Sequence, residues 1–292
     1  MNQGTKLPSL DLVSALITTD ELASLTPDQA KILDATWFLA IDGRDAGAEF
    51  VSGHIPGARF LDLATLADAA TNLPMTLPMA DAFALRMAAL GVARADRIVL
   101  YDNSPHHTSA RAWFMLARVY GFTNVSILDG GLAKWVAEGK PLETGTVTPH
   151  PVQEEAALAN LVQVRTKADV TSNLQSKTAQ IIDARGPGRF TGADPEPRKD
   201  IASGHIPGAH NLPFPKLFEA NGTWKGHDAL RGEFALAAID IDRPMIATCG
   251  SGVTACVLLF GLHLIGKDDA ALYDGSWAEW GADPDTPKDV GV

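Results

Sequence analysis

Cys249 is the residue whose surroundings most clearly suggest chemistry. It follows the apolar run Met-Ile-Ala-Thr at 245–248 and opens a Gly-Ser-Gly loop, after which a helix is expected to begin near Val253. Two glycines allow the loop to close tightly with its backbone N–H groups turned inward, and the helix adds the positive end of its dipole. Because both features stabilise an anionic sulfur, the sequence predicts a nucleophilic cysteine here.

The other cysteine, Cys256, lies within the apolar stretch 253–265 and has no glycine loop around it. We interpret it as a buried core residue. Two cysteines so close together form no disulfide framework, and a working thiol fits a reducing compartment. The start of the chain lacks a signal-peptide pattern, so we expect a cytoplasmic protein.

A tandem duplication organises the chain around this loop. The heptapeptide SGHIPGA occurs at 52–58 and again, 151 residues later, at 203–209. In the first copy the run IVLY is followed by Asp102, whereas the corresponding run MIAT of the second copy is followed by Cys249. We therefore predict a catalytically silent domain at 1–145, a linker at 146–158 rich in Pro, Thr and Glu, and an active domain at 159–292.

Short apolar runs alternate with helical patterns in both copies, which predicts an α/β fold with mainly parallel sheets flanked by helices. The clearest strands are expected at 98–101, 125–128, 180–183, 245–248 and 270–273. Helices are expected at 80–90, 110–120, 229–238 and 253–265, the last of them buried because it is apolar on nearly every side.

The composition excludes several classes of function. The chain has 292 residues, 46% of them hydrophobic, and a net charge of −11. Nucleic-acid binding needs a basic face, so we expect none. The stretch 244–266 is uncharged over a length that could span a bilayer, but its proline and glycines favour a strand, loop and helix, so no membrane span is expected. His106 and His107 have no third ligand nearby, and no metal site is predicted.

The chain resembles a known family in three motifs: the CGSGVT loop at 249–254, the doubled GHIPGA, and YDGSW at 273–277. Together they resemble the rhodanese sulfurtransferases, and among these the 3-mercaptopyruvate sulfurtransferases. The resemblance implies two tandem rhodanese-like domains and a cysteine of the second that takes up sulfur as a persulfide, without a cofactor. It also implies an anion cradle around the cysteine, formed by Gly250, Ser251, Gly252, Val253 and Thr254, and a catalytic role for Ser251 beside Cys249.

The same resemblance assigns Arg189 and Arg198 to the carboxylate of the sulfur donor, since these arginines match the family's carboxylate-binding motifs. A guanidinium group is geometrically suited to a carboxylate. For the nearby Arg185 we favour a structural ion pair. The cradle loop carries no basic side chain, which disfavours a dianion such as thiosulfate and favours 3-mercaptopyruvate, with a thiol, cyanide or a thioredoxin-like protein as sulfur acceptor.

Three alternatives follow from the same residues. A thiosulfate:cyanide sulfurtransferase and a non-enzymatic persulfide carrier both remain open. A Cdc25-like phosphatase, which shares this fold, would need an arginine where the chain has Ala255, and that interpretation fails. The carrier gains weight because Ala64 and Met75 stand where the family commonly places an Asp and a His proposed to assist the loop serine.

Overall fold

The computed structural model describes residues 14–26 and 28–291; the first residues of the predicted silent domain, on which the signal-peptide expectation partly rests, lie outside this part of the chain. Two five-stranded sheets form the framework, and every described strand pair in them is parallel. The first sheet contains β1 (Leu16–Ile17), β2 (Lys31–Asp34), β3 (Arg59–Phe60), β4 (Ile98–Tyr101) and β5 (Val125–Leu128). The second contains β6 (Val164–Arg165), β7 (Gln180–Asp183), β8 (His210–Asn211), β9 (Met245–Thr248) and β10 (Ala271–Tyr273).

The duplication is visible in the strand order. The first sheet runs β1-β5-β4-β2-β3 and the second β6-β10-β9-β7-β8, so each strand of one copy has a counterpart at the same place in the other. The central strands β4 and β9 are buried at every position, as uninterrupted apolar runs covered by helices on both faces must be. Four of the five predicted strands have the expected bounds, and the fifth begins one residue later.

Ten α-helices cover the sheets in the described residues: α1 (Thr19–Ser24), α2 (Ala46–Ser52), α3 (Ala80–Ala89), α4 (Ser109–Trp113), α5 (Gly131–Ala137), α6 (Lys167–Ser176), α7 (Pro187–Thr191), α8 (His227–Leu236), α9 (Ala255–Leu264) and α10 (Ser276–Trp280). The single helix predicted at 110–120 is wrong in one respect. After α4 the chain continues as a π-helix over Phe114–Val119, with the N–H of Tyr120 donating to the carbonyl of Met115 five residues back. The helix expected from Val253 begins two residues later.

Helices α4 and α9 pack against each other and join the two copies. The rings of Trp113 and Phe260 meet edge to face with centroids 4.9 Å apart. Every residue of α9 from Ala255 to Leu262 is buried, which agrees with its uniformly apolar sequence. One continuous apolar core therefore extends from the first copy into the second.

The segment between the copies contains neither helix nor strand from 144 to 161. It runs along the first copy, where the N–H groups of Val152 and Asn160 donate to the carbonyls of Ala88 and Val119. The proposed linker bounds of 146–158 lie within this segment and stay a prediction. None of the helices in the described residues has the length and apolar character needed to cross a bilayer.

Candidate active site

Cys249 lies directly after β9, at the carboxyl end of a central parallel strand, where open α/β sheets commonly bind ligands. The residue is only 2% exposed and lies in the wall of a cavity of about 410 Å³. The first copy contributes apolar residues to this cavity, among them Trp37 and Ile41. The second copy contributes the cysteine loop together with Arg189 and Arg198.

The loop after Cys249 leaves its backbone donors free. Within residues 14–26 and 28–291, no group accepts a hydrogen bond from the N–H of any residue from 250 to 254. Gly250, Ser251, Val253 and Thr254 all line the cavity. Unpaired N–H groups at the start of a helix favour anions, so the geometry of the loop suits an anionic sulfur or an oxyanion.

The corresponding loop of the first copy is already filled. The carboxylate of Asp102 accepts the N–H of Ser104 at 2.9 Å and that of Ser109 at 2.8 Å. The N–H of Asn103 donates to the hydroxyl of Thr36 at 2.9 Å. The protein's own carboxylate thus occupies the loop that in the second copy stays open, which supports the prediction that the first copy is catalytically silent.

Helix α10 and the residues before it hold the cysteine loop in place. The N–H of Cys249 donates to the hydroxyl of Ser276 at 3.2 Å. In return, the carbonyls of Cys249 and Gly250 accept the N–H groups of Trp277 and Ala278, both at 2.9 Å. Ser276 has a φ of 49°, a left-handed conformation that only the surrounding packing can maintain in a serine.

Gly252 faces away from the cavity, towards the back of the loop. Its φ is +77°, and a Cβ on it would lie 2.9 Å from the carbonyl oxygen of Asp274 and 3.3 Å from that residue's carboxylate. A side chain here would be strained and crowded at once. Gly252 therefore shapes the cradle, whereas its predicted neighbours face the ligand space.

The arginines of the cavity differ in their partners. Arg189 forms an ion pair with Glu196 at 2.6 Å, and Glu196 also accepts from Arg185 at 2.9 Å. Arg198 has no ion-pair or hydrogen-bond partner among the described residues. Burial, and after it the charge of Arg189, lower the pKa of Arg198. Arg198 is thus the cation most available to a substrate carboxylate.

Arg185 has the structural surroundings that its sequence context suggested. Its guanidinium donates to Asp183 at 2.7 Å and to the carbonyl of Gly204 at 2.8 Å, and it stacks on Trp277 with 4.4 Å between the guanidinium carbon and the ring centroid. With Glu196 as a second acid, the charge of Arg185 is fully compensated. Arg185 therefore supports the cysteine loop through Trp277, whose N–H donates to the carbonyl of Cys249.

Ala64 and Met75, the two positions at which this chain departs from the family pattern, have different surroundings. Ala64 is exposed in a turn, where its N–H donates to Asp62. Met75 is buried with a φ of 59° and offers only its carbonyl oxygen to a neighbouring arginine. Ser251 is 6% exposed, and its hydroxyl contacts no hydrogen-bonding group of the described residues. No Asp–His–Ser relay is formed by these positions.

Cys256 is fully buried in the first turn of α9, as the sequence predicted. Its thiol donates to the carbonyl of Gly252 at 3.2 Å, and burial raises its pKa to about 12. Such a thiol stays protonated and unreactive at neutral pH. Its role is to support the loop.

Two groups of site residues escaped sequence analysis. Glu196 was overlooked although it precedes Arg198 by two residues, because an acid in a loop gives no sign of whether it faces a cation or solvent. The pair Arg111 and Asp274 was overlooked because its partners are separated by 163 residues and belong to different copies.

Comparison with known proteins agrees with this geometry. A family model described as a rhodanese-like domain matches residues 19–138 and 166–283. The human 3-mercaptopyruvate sulfurtransferase is 41% identical, over 92% of this chain and 91% of its own length. The thiosulfate/3-mercaptopyruvate sulfurtransferase 1, mitochondrial, of Arabidopsis thaliana is 38% identical, over 97% of this chain and 80% of its own. The crystal structure of the 3-mercaptopyruvate sulfotransferase SseA from Escherichia coli superposes with a TM-score of 0.82 at 38% identity, covering 90% of this chain and 98% of that one.

The chain therefore belongs to the rhodanese family, with two rhodanese domains in tandem, each a five-stranded parallel sheet flanked by helices. It is a sulfurtransferase similar to the 3-mercaptopyruvate enzymes, as the sequence motifs predicted.

Proposed function

We propose that the enzyme takes sulfur from 3-mercaptopyruvate, releases pyruvate, and passes the sulfur from a Cys249 persulfide to a thiol or to cyanide. The observation that carries this proposal is the pairing of an open, uncharged N–H cradle at Cys249 with the unpaired guanidinium of Arg198 in the same cavity. The N–H cradle suits a sulfur anion, and the guanidinium of Arg198 suits a carboxylate.

In the first half-reaction the Cys249 thiolate attacks the sulfur of 3-mercaptopyruvate. The new S–S bond forms as the C–S bond breaks, and the electron pair passes to the methylene carbon, giving the enolate of pyruvate. The proton from the donor thiol ends on that carbon, so the products are pyruvate and an anionic persulfide. The hydroxyl of Ser251 and the loop N–H groups are suited to stabilise negative charge on the ketone oxygen during this step.

In the second half-reaction the acceptor attacks the outer sulfur of the persulfide and Cys249 leaves as the thiolate. A thiol acceptor yields a new persulfide, and cyanide yields thiocyanate. The cavity of about 410 Å³ has room for a small acceptor beside the loop. A thioredoxin-like protein is our candidate for a macromolecular acceptor, and the two free cysteines support a location in a reducing compartment, for which we propose the cytoplasm.

The choice of donor follows from charge. Thiosulfate would bring two negative charges to a loop that offers backbone dipoles and one hydroxyl, which compensate poorly for lost hydration. The carboxylate of 3-mercaptopyruvate would stay at the arginines, and only its thiol and its ketone oxygen, which carry no full charge in the bound donor, would enter the cradle. The thiosulfate activity in the name of the Arabidopsis relative makes thiosulfate the alternative to be tested.

Steady-state rates with 3-mercaptopyruvate and with thiosulfate, measured side by side, test the proposal. We expect kcat/KM for 3-mercaptopyruvate to be at least about tenfold higher, equivalent to about 1.4 kcal/mol of transition-state stabilisation. Gly250→Arg combined with Ser251→Lys should shift that ratio towards thiosulfate. A wild-type preference for thiosulfate would contradict the assignment of the donor. Persulfide formation without turnover on either donor would favour a carrier.

A further inference from the structure

A side chain of the silent copy contacts the back of the Cys249 loop. Arg111 lies in α4, is 1% exposed, and crosses the interface between the two copies. Its Nη2 donates to Asp274 Oδ1 at 2.8 Å and to the carbonyl of Met75 at 2.5 Å. Its Nη1 lies 3.5 Å from the carbonyl oxygen of Gly252.

We propose that Arg111 is a positioning residue for sulfur transfer, which holds the Gly252 carbonyl and Asp274 behind the loop so that the loop's N–H groups face the cavity. It does not touch the reacting atoms. The proposal rests on the proposed function only in taking Cys249 as the nucleophile, and it is independent of the identity of the sulfur donor.

Peptide geometry links the two sides of the loop. The C=O of Gly252 and the N–H of Val253 belong to one planar trans peptide, so they point in opposite directions. The carbonyl is held towards the interior by the Cys256 thiol at 3.2 Å and by Arg111. The N–H of Val253 is thereby turned to the opposite side, where Val253 lines the cavity. Without its partners behind the loop, this peptide would be free to rotate and to withdraw one donor from the cradle.

Among the residues that the structure describes, a buried guanidinium lies behind the Cys249 loop, and none donates to the corresponding loop of the first copy. In both copies an aspartate after the last strand accepts a backbone N–H from the other copy at 2.8 Å: Asp274 from Leu77, and Asp129 from Trp224. In the described part of the chain Asp129 has no arginine partner; burial raises its pKa, and the hydrogen bond from Trp224 and the charge of Lys134 oppose that shift. Asp129 and Asp274 are 274 − 129 = 145 residues apart, and the same offset places Arg111 of the silent copy opposite Cys256 of the active one. The silent copy thus supplies an arginine to the loop that binds sulfur and receives none in return.

The glycine at 252 fits this arrangement. A Cβ there would lie 3.4 Å from Arg111 Nη1 and closer still to Asp274, so only glycine lets both groups approach the loop backbone. The conformation of the Cys249 loop and the contact of Arg111 across the interface therefore depend on each other.

Arg111→Lys tests the proposal, with Arg118→Lys as the matched control. Arg118 follows on the same helical segment and also bridges the two copies, through Asp268 and through His263 at 2.9 Å, but it does not contact the loop. Lysine keeps the charge beside Asp274 and loses the fork that reaches several acceptors. A double variant, Arg111→Met with Asp274→Asn, removes the buried cation and its partly buried partner together, so that neither charge is left uncompensated and the variant can still fold.

Three quantities are measured on each variant: the melting temperature, kcat and KM for the donor, and the rate at which iodoacetamide alkylates Cys249, located by peptide mass mapping. For Arg111→Lys and for the double variant we expect kcat to fall about 10- to 100-fold and the alkylation rate to fall with it. The donor KM should change by less than about threefold, because Arg198 is untouched. For Arg118→Lys we expect a lower melting temperature with kcat and alkylation within about twofold of wild type.

Two outcomes would overturn the proposal. In the first, the Arg111 variants keep wild-type kcat and alkylation rates despite reduced stability, which would make Arg111 an interface residue only. In the second, Arg118→Lys loses as much activity as Arg111→Lys. Alkylation requires no sulfur donor, so a failure of the proposed donor would leave this readout intact and the two failures distinguishable.

Discussion

Replacing Arg198 by glutamine tests how the enzyme recognises its donor. Arg198 lines the cavity and has no acidic partner among the described residues, whereas Arg189 already shares its charge with Glu196. A charge-assisted hydrogen bond contributes about 1.5 to 3 kcal/mol, and the partial exposure of Arg198 favours the lower end of that range. We therefore expect Arg198→Gln to lower kcat/KM for 3-mercaptopyruvate about 10- to 30-fold, mainly through KM.

The assay compares 3-mercaptopyruvate with mercaptoacetone, which keeps the thiol and the ketone but lacks the carboxylate. Pyruvate or acetone release is followed for wild type, Arg198→Gln and the control Arg243→Gln. Arg243 is an exposed arginine of the same domain that does not line the cavity. We expect Arg198→Gln to reduce the rate with 3-mercaptopyruvate alone. Equal losses with both donors would refute a role in carboxylate binding and show that Arg198 serves the shape of the cavity.

Two further predictions concern carboxylates that are largely shielded from solvent. Glu196→Gln removes one of the two acids that compensate the three cavity arginines, so kcat/KM for thiosulfate relative to 3-mercaptopyruvate should rise about fivefold to tenfold; an unchanged ratio in a side-by-side assay would contradict this. Asp34 is 2% exposed, and burial raises its pKa to about 6. The fold therefore favours the protonated carboxyl, whose contribution to stability is fully present below the unfolded pKa and is lost as the pH rises through 6. Asp34→Asn should therefore stabilise the fold at pH 7 by roughly 1–3 kcal/mol and flatten the dependence of melting temperature on pH between 4 and 7. The matched Asp183→Asn should destabilise, since Asp183 pairs with Arg185; retention of the wild-type slope in Asp34→Asn would show that another group titrates.

Most strands of the two sheets could be predicted from the sequence, because the signals that specify a strand or a tight loop are local. The strands at 98–101, 125–128, 180–183 and 245–248 are apolar runs bounded by polar residues or glycine, and the structure confirms their bounds. The Gly-Ser-Gly spacing after Cys249 likewise predicted a loop with inward donors, and in the described residues the N–H groups of that loop have no hydrogen-bond partner, which is consistent with the prediction. Local composition and backbone conformation are sufficient for features of this kind.

Features that depend on contacts between distant residues could not be predicted. The π-helix at Phe114–Val119 has the same apolar composition as an α-helix and differs only in its hydrogen-bond register. The contact of Arg111 with the active loop depends on how the two copies pack. Glu196 lies close in sequence to its partner Arg189, but the fold of the loop decides whether that acid faces a cation or solvent. The filling of the silent loop by Asp102 needed geometry too, since an aspartate at a strand end is equally compatible with exposure to solvent.

The central claim is that sulfur from 3-mercaptopyruvate passes through Cys249, and peptide mass mapping after a single turnover tests it most directly. The enzyme is mixed with one equivalent of 3-mercaptopyruvate without acceptor, quenched and digested, while pyruvate is measured in parallel. We predict one additional sulfur atom on Cys249, none on the buried Cys256, pyruvate in equal amount, and loss of the added sulfur as thiocyanate when cyanide is supplied. Pyruvate release without sulfur on Cys249, or undiminished release by Cys249→Ser, would contradict the account.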